Sequence, residues 1–321
     1  MNENASEEKN YTPIRISTLK PDMNIPFELH IFFKEQYIQY SPSGESIEKE
    51  KFRKLRRQKI AKFFILDSSE TLYQEFLDDL LNETLNSEDA TIEEKVEVVE
   101  GAALSATDQM LKDPGSESAY KLTTNAARSL RKLIEDNPDA LKNIFGKETD
   151  EEDDPIVKHC LNVSALSLKF AKLMKCTEEE IDNVSIAGLI HDIGINELDE
   201  ETKALFLKSR NDHSPQERLK FGEHCKNVAK IMSEKPYINQ EILHLVENHE
   251  EDRTGSGPLK SQKPTLLVEI ISLINRYDEK IITKNITPKE ALDELLIDEL
   301  GAYDLSMINY FKKVLKEQGI V

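Results

Sequence analysis

The chain has 321 residues, 38% of them hydrophobic and 32% charged, with a formal net charge of -19. An acidic surface of this kind disfavours binding to DNA or anionic lipid, because its mean field repels phosphate. No run of ~18 apolar residues is present to enter a membrane. Three cysteines, Cys160, Cys176 and Cys225, without a CxxC spacing argue against a disulfide framework, and a cytoplasmic location is expected.

Residues 1–10 are polar, do not form a signal peptide and are expected to be a disordered tail. Residues 11–83 read as a small α+β domain. Pro13, Pro21 and Pro26 suit irregular or edge segments. Segments 27–33 and 36–40 alternate β-formers with polar residues, and 41–44, Ser-Pro-Ser-Gly, is a turn signal. Ser46 is expected to cap a helix reaching Gln58, 63–66 is a buried strand and 71–81 is helical. The basic run 51–59 is either one solvated helix face or a contact for a phosphate ligand or partner. Residues 84–150 read as a helical connector. Thr91 with Glu94 makes a capping box, a second helix runs from Ser116 to Asn137, and a short third one ends at Gly146. The stretch 147–154 is charged and reads as a solvated hinge.

Residues 151–321 read as a series of helices. Pro155 suits a first helical position, and Ile156, Val163, Leu166, Phe170 and Met174 form an apolar stripe. Thr177 with Glu180 opens a helix that leads through Ile181, Val184, Ala187 and Gly188 to His191. Further helices are expected at 215–232, 239–250, 264–282, 287–300 and from Asp304 onward, with a loop at 252–263. The fold class is mainly α, a C-terminal α-helical bundle with a small N-terminal α+β domain.

His159, the pair His191-Asp192, His224 and His249 each fall on a separate predicted helix or helix end. Imidazoles and a carboxylate on facing helices of a bundle can converge on a metal, and such a set suits Fe, Mn, Zn or Ni. Asp192 has two oxygens and can bridge two ions. His30, His213 and His244 lack this context and read as surface or local residues.

The ordered set His159, His191-Asp192-Ile193-Gly194, His224, His249-Glu250 and then a Gly-rich loop resembles the HD superfamily of metal-dependent phosphohydrolases. More narrowly, it resembles the HD-GYP branch, which hydrolyses the bacterial messenger cyclic-di-GMP. The similarity spans roughly residues 100–321 and includes the closing segments 291–295 and 301–304. The resemblance implies an HD-type bundle, a regulatory or sensory N-terminal domain, and a divalent metal centre, Fe or Mn, with one or two ions per chain. His159, His191 and Asp192 would hold one ion, and Asp192, His224 and His249 the second, with Asn248 and Asn275 assisting. Asp192 would be the catalytic residue, and Arg253, Gly255, Gly257 and Pro258 would lie beside the substrate, a cyclic dinucleotide. A homodimer or a signalling partner is compatible with the resemblance.

Several positions depart from the family pattern. Asn248 stands where the family has the first of two adjacent histidines, and Asn275 where it has an Asp ligand. Ile195 replaces a phosphate-supporting Lys, the loop lacks its Tyr, and Pro155 replaces a Glu that would hold a third metal. A shifted alignment instead makes Asp278 the last ligand. Two functions stay open: a cyclic-di-GMP phosphodiesterase, and a catalytically impaired module that binds nucleotide or a partner without turnover. A phosphohydrolase acting on another nucleotide is a third.

Overall fold

The computed structural model describes residues 10–145 and 154–321. All of the expected tail but Asn10, the end of the short third helix at Gly146 and most of the expected hinge lie outside the described residues.

The N-terminal part is an antiparallel sheet of β1 (Tyr11–Arg15), β2 (Leu29–Phe33), β3 (Gln36–Ser41) and β4 (Lys62–Leu66) in the order β1-β4-β2-β3. Pro13 is tolerated because β1 is an edge strand. Ile14, Leu29, Phe63 and Ile65 are fully buried on one face, so the period of two makes that face the core. Helix α1 (Lys49–Arg57) buries only Phe52 and Leu55, which leaves most of the basic run on the solvent side. Ser46 does not cap it: the helix starts after Glu48, and Ser46 bridges to Asn24 instead.

Helices α2 (Glu70–Asn86), α3 (Ile92–Lys112), α4 (Glu117–Asp136) and α5 (Ala140–Phe145) follow. Thr91 and Glu94 form the full capping box on α3. Helix α3 packs against β1 on one side and against α4 and α6 (Pro155–Leu173) on the other. Its junction with the sheet is polar as well as apolar. Arg15 Nε donates to Asp108 at 2.6 Å, and Arg15 N donates to Ser105 Oγ at 3.0 Å. One hydrophobic core therefore runs from Ile14 to Leu315.

Helix α6 is capped by Asp154, whose side chain accepts from Ile156 N at 2.9 Å, with Pro155 at the first turn. Helix α7 (Glu178–Ile190) is started by the Thr177–Glu180 capping box. These two helices touch backbone to backbone, since a Cβ on Gly188 would lie 2.6 Å from Ser164 Cα. Short helices α8 (Glu200–Lys203) and α9 (Pro215–Phe221) lead to α10 (Glu223–Ser233) and α11 (Gln240–Asn248). Helix α12 (Leu266–Lys284) closes the bundle on α6, and α13 (Pro288–Asp298) and α14 (Leu305–Glu317) complete it. No helix among the described residues is long and apolar enough to cross a membrane.

Candidate metal centre

Four helix ends and one helix interior deliver the polar cluster. His159 comes from the first turns of α6, and His191 and Asp192 from the C-terminus of α7. His224 and Cys225 open α10, His249 follows α11, and Asn275 and Asp278 lie on the inner face of α12. His159, His191, His224 and His249 are each no more than 1% exposed, and Asp192 is 3% exposed. Gly194 lets this assembly close: a Cβ there would run into the carbonyl oxygen of His224.

The side chains meet around Asp192. Its Oδ1 lies 3.2 Å from both His224 Nε2 and His249 Nε2, and its Oδ2 lies 3.5 Å from both His159 Nε2 and His191 Nε2. Within each half the imidazole nitrogens also face each other, His159 to His191 at 3.2 Å and His224 to His249 at 3.1 Å. Two sets, His159/His191/Asp192 and His224/Cys225/His249, each keep their ligand atoms within 4.8 Å of one another.

The tautomers follow from what stands behind each ring. Nδ1 of His191, His224 and His249 points at the carbonyl oxygen three residues earlier, of Gly188, Phe221 and Val246. A carbonyl only accepts, so these Nδ1 atoms carry the proton and the Nε2 lone pairs turn inward. His159 Nδ1 faces Asp278 Oδ2 at 2.7 Å, the carboxylate–histidine arrangement common behind metal ligands. Asn275 is oriented in the same manner. Its amide nitrogen donates to Glu250 Oε1 at 3.3 Å, which turns its oxygen to His159 Nε2, 2.8 Å away. Four neutral imidazoles, an amide oxygen and a carboxylate thus confront one another with lone pairs. Only protons or a cation can make that arrangement favourable, so the donor set fits a metal.

The electrostatics of the metal-free cluster agree. Burial, reinforced by His249 and His159 and opposed by Asp192, pushes His191 down to about 3. Burial would raise Asp192, but the surrounding imidazoles hold it well below the usual carboxylate range. Burial would lower His159, yet Asp278 and Asp192 raise it. His224 and His249 are pushed up to about 10 and about 9 against burial, by Cys225 and Asp192. The cluster stabilises positive charge at its centre.

A small cavity of about 20 Å³, room for roughly one water, opens on the His159 half, with Asp192, Arg210, His213, Glu250 and Asn275 among its walls. A wider cleft of about 200 Å³ lies beside it, with Arg210, Arg218, Arg276 and Lys280 in its lining. Several of these cations are already engaged. Glu250 takes Arg210 and Arg276, and Lys280 pairs with Asp298 at 2.7 Å.

Other predicted positions fall elsewhere. Asn248 is not in the cluster: its amide nitrogen donates to the His244 carbonyl at 2.9 Å, one turn back on α11. Asp278 stands behind His159, not in the position of a last ligand. Arg253 is bound by Glu269 and lies 3.2 Å from Asp304, so it braces the loop against α12 and the start of α14. Gly255 and Gly257 sit in a loop tied internally. Ser256 donates to Asp252 at 2.5 Å, and Glu251 accepts from the backbone of Leu259 and Ser261 at 2.7 and 2.6 Å. Pro258 packs on Gly222, just before His224. Ile195 is fully buried. His30 and His213 are buried, so of the two readings, surface or local, the surface one does not apply to them; His213 Nε2 meets the nearby Leu205 and Lys208 carbonyls, and the residue lines the cavity.

Sequence reasoning passed over Cys225, whose Sγ lies 3.4 Å from His224 Nε2 and 3.9 Å from His249 Nε2. Its adjacency to His224 was the available signal. It also missed Asp278 as a partner of His159. Asp278 lies three residues after Asn275, hence on the same helix face.

Comparison with known proteins places this geometry. The HD domain family matches residues 156–280. The structure of Bd1817, an HDG"Y"P protein from Bdellovibrio bacteriovorus, superposes with a TM-score of 0.75 at 24% identity over 96% of this chain and 100% of that one. The HD domain of the phosphodiesterase PgpH from L. monocytogenes, in complex with cyclic-di-AMP, aligns over 55% of this chain and 92% of its own at 18% identity, with a TM-score of 0.39. No curated protein sequence matches. Residues 156–280 thus match the HD domain family, and the fold of the chain resembles that of the Bdellovibrio protein.

Proposed function

We propose that the protein is a metal-dependent phosphodiesterase that hydrolyses a cyclic dinucleotide, with cyclic-di-GMP the first candidate. The observation that carries this reading is Asp192, which offers one oxygen to the His224/His249 pair and the other to the His159/His191 pair. Divalent ions, Fe or Mn, held in these two sets would supply the Lewis acidity that phosphodiester hydrolysis needs. The protein's own part is orientation. The backbone carbonyls behind His191, His224 and His249 and the carboxylate of Asp278 keep all four Nε2 atoms aimed inward. Asn275 adds a neutral oxygen beside His159. The neighbouring cleft is lined by Arg210, Arg218, Arg276 and Lys280 together with Asp252, Glu279, Asp298 and Glu299, so it offers polar contacts of both signs.

A second reading, a module that binds nucleotide or a partner without turnover, is favoured by three particular features. Ile195 is packed away and cannot donate to phosphate. Asn275 brings no charge to the centre. The cavity on the His159 half has room for about one water.

One experiment separates them. The full chain is loaded anaerobically with Fe(II) or Mn(II), its metal content is measured, and cyclic-di-GMP turnover is followed beside His191→Ala. The enzyme reading expects at least one ion per chain and turnover that His191→Ala abolishes. Dinucleotide binding without turnover supports the second reading. Less than one ion per chain removes the metal centre from both.

A further inference from the structure

The two halves of the centre are not equivalent, and Cys225 is the reason. Its side chain is fully buried at the start of α10. Ligands around a tetrahedral ion, bound at ~2.0–2.3 Å, stand roughly 3.3 Å apart for N and O pairs and roughly 3.6 Å for N and S pairs. His224 Nε2, His249 Nε2 and Asp192 Oδ1 are mutually 3.1–3.2 Å apart, and Cys225 Sγ lies 3.4 and 3.9 Å from the two nitrogens. These five separations match five of the six edges of a tetrahedron with sulfur at the fourth corner. The His159 half has no sulfur in its ligand set, and it is this half, through His159, Asp192 and Asn275, that lines the cavity. His224, Cys225 and His249 do not line it.

We propose that Cys225 is a thiolate ligand that completes a closed four-ligand metal position with His224, His249 and Asp192, while the position at His159 and His191 stays open toward the cavity. This rests on the reading of the cluster as a metal centre. Closed tetrahedral sets with sulfur are the pattern of ions that hold structure, whereas an open position is needed for chemistry. A thiolate with two imidazoles selects zinc or iron(II) over manganese. The centre would therefore hold one tightly bound thiolate-ligated ion and one exchangeable ion.

The test uses cobalt(II) as the probe on the full chain, under reducing, anaerobic conditions. Wild type should show ligand-field absorption together with an intense thiolate-to-cobalt charge-transfer band that saturates at one equivalent. Cys225→Ser should lose that band, and Cys160→Ser, a second buried cysteine, should keep it. If Cys225→Ser does not fold, X-ray absorption on zinc-loaded wild type decides through a sulfur scatterer at ~2.3 Å. Ligand-field bands without charge transfer, or a zinc shell of N and O only, overturn the thiolate while leaving the metal centre intact. Failure of wild type to bind cobalt or zinc overturns both.

Discussion

Replacing Asp278 by Asn tests how the centre is oriented. The carboxylate receives two donors, His159 Nδ1 at 2.7 Å on Oδ2 and Asn162 Nδ2 at 3.1 Å on Oδ1, and it is fully buried. An amide has one acceptor, so it must fail one of them. If its oxygen serves His159, its NH₂ faces the NH₂ of Asn162, and an unsatisfied buried donor costs about 1–3 kcal/mol. If it serves Asn162, its NH₂ faces His159 Nδ1. The imidazole proton then moves to Nε2 and points into the centre, where the ligand lone pair was. Loss of a carboxylate behind a metal-bound histidine typically weakens metal binding ~10–100-fold, about 1.4–2.7 kcal/mol. Asp278→Asn should therefore show that loss in a competition titration with a chelating dye, and a melting temperature a few degrees lower when metal-free. The double variant Asn162→Asp with Asp278→Asn swaps donor and acceptor and should recover most of the stability. Unchanged metal affinity in the single variant, or no recovery in the double, would refute the reasoning.

Other outcomes follow from the same geometry. Gly194→Ala pushes a methyl into the His224 carbonyl, and should cost about 1–3 kcal/mol in denaturant unfolding and lower the bound metal per chain. Ile195→Lys places an ammonium at a fully buried position; it should destabilise the fold by several kcal/mol and bring no gain in turnover. His191 is held down to about 3 by burial, against about 6.5 when unfolded, so its contribution is complete above pH 6.5 and is lost as pH falls toward 3. Chelator-treated protein should thus lose up to about 1.4 kcal/mol per pH unit between pH 6.5 and 4 through this group, and His191→Gln should flatten that slope; parallel wild-type and variant curves would count against it.

Much of the bundle was legible because capping chemistry is local. Thr91, Ser116, Thr177, Thr287 and Asp304 cap the helices their side chains announce, while Asp154, read as the end of a hinge, caps the helix announced by Pro155. Ser46 misled, since a cap requires the helix to begin beside it, and Ser46 instead makes an isolated bridge to Asn24. The four histidines could be read as a set, but the direction of their rings could not. That direction depends on Gly188, Phe221 and Val246 carbonyls and on Asp278, which lies 119 residues from His159. Arg253 shows the same limit. Its position in a Gly-rich loop suggests a ligand contact, while Glu269 and Asp304, distant in sequence, decide where its charge is spent. Cys225 was passed over because a lone buried cysteine in sequence reads as a small apolar residue.

The contacts within each half of the centre span short stretches of chain. His159 and His191 are 32 residues apart, and His224 and His249 are 25 apart. Each pair sits on neighbouring helices that pack together, α6 on α7 and α10 on α11. Loops of this length close early and at small entropic cost, whereas the bond from His159 to Asp278 must wait for α12 to arrive. During synthesis the His159/His191 pair and Asp192 emerge first, and α10 and α11 follow. A metal supplied during refolding should accelerate the docking of α10 and α11 onto Asp192, and one supplied afterwards should not.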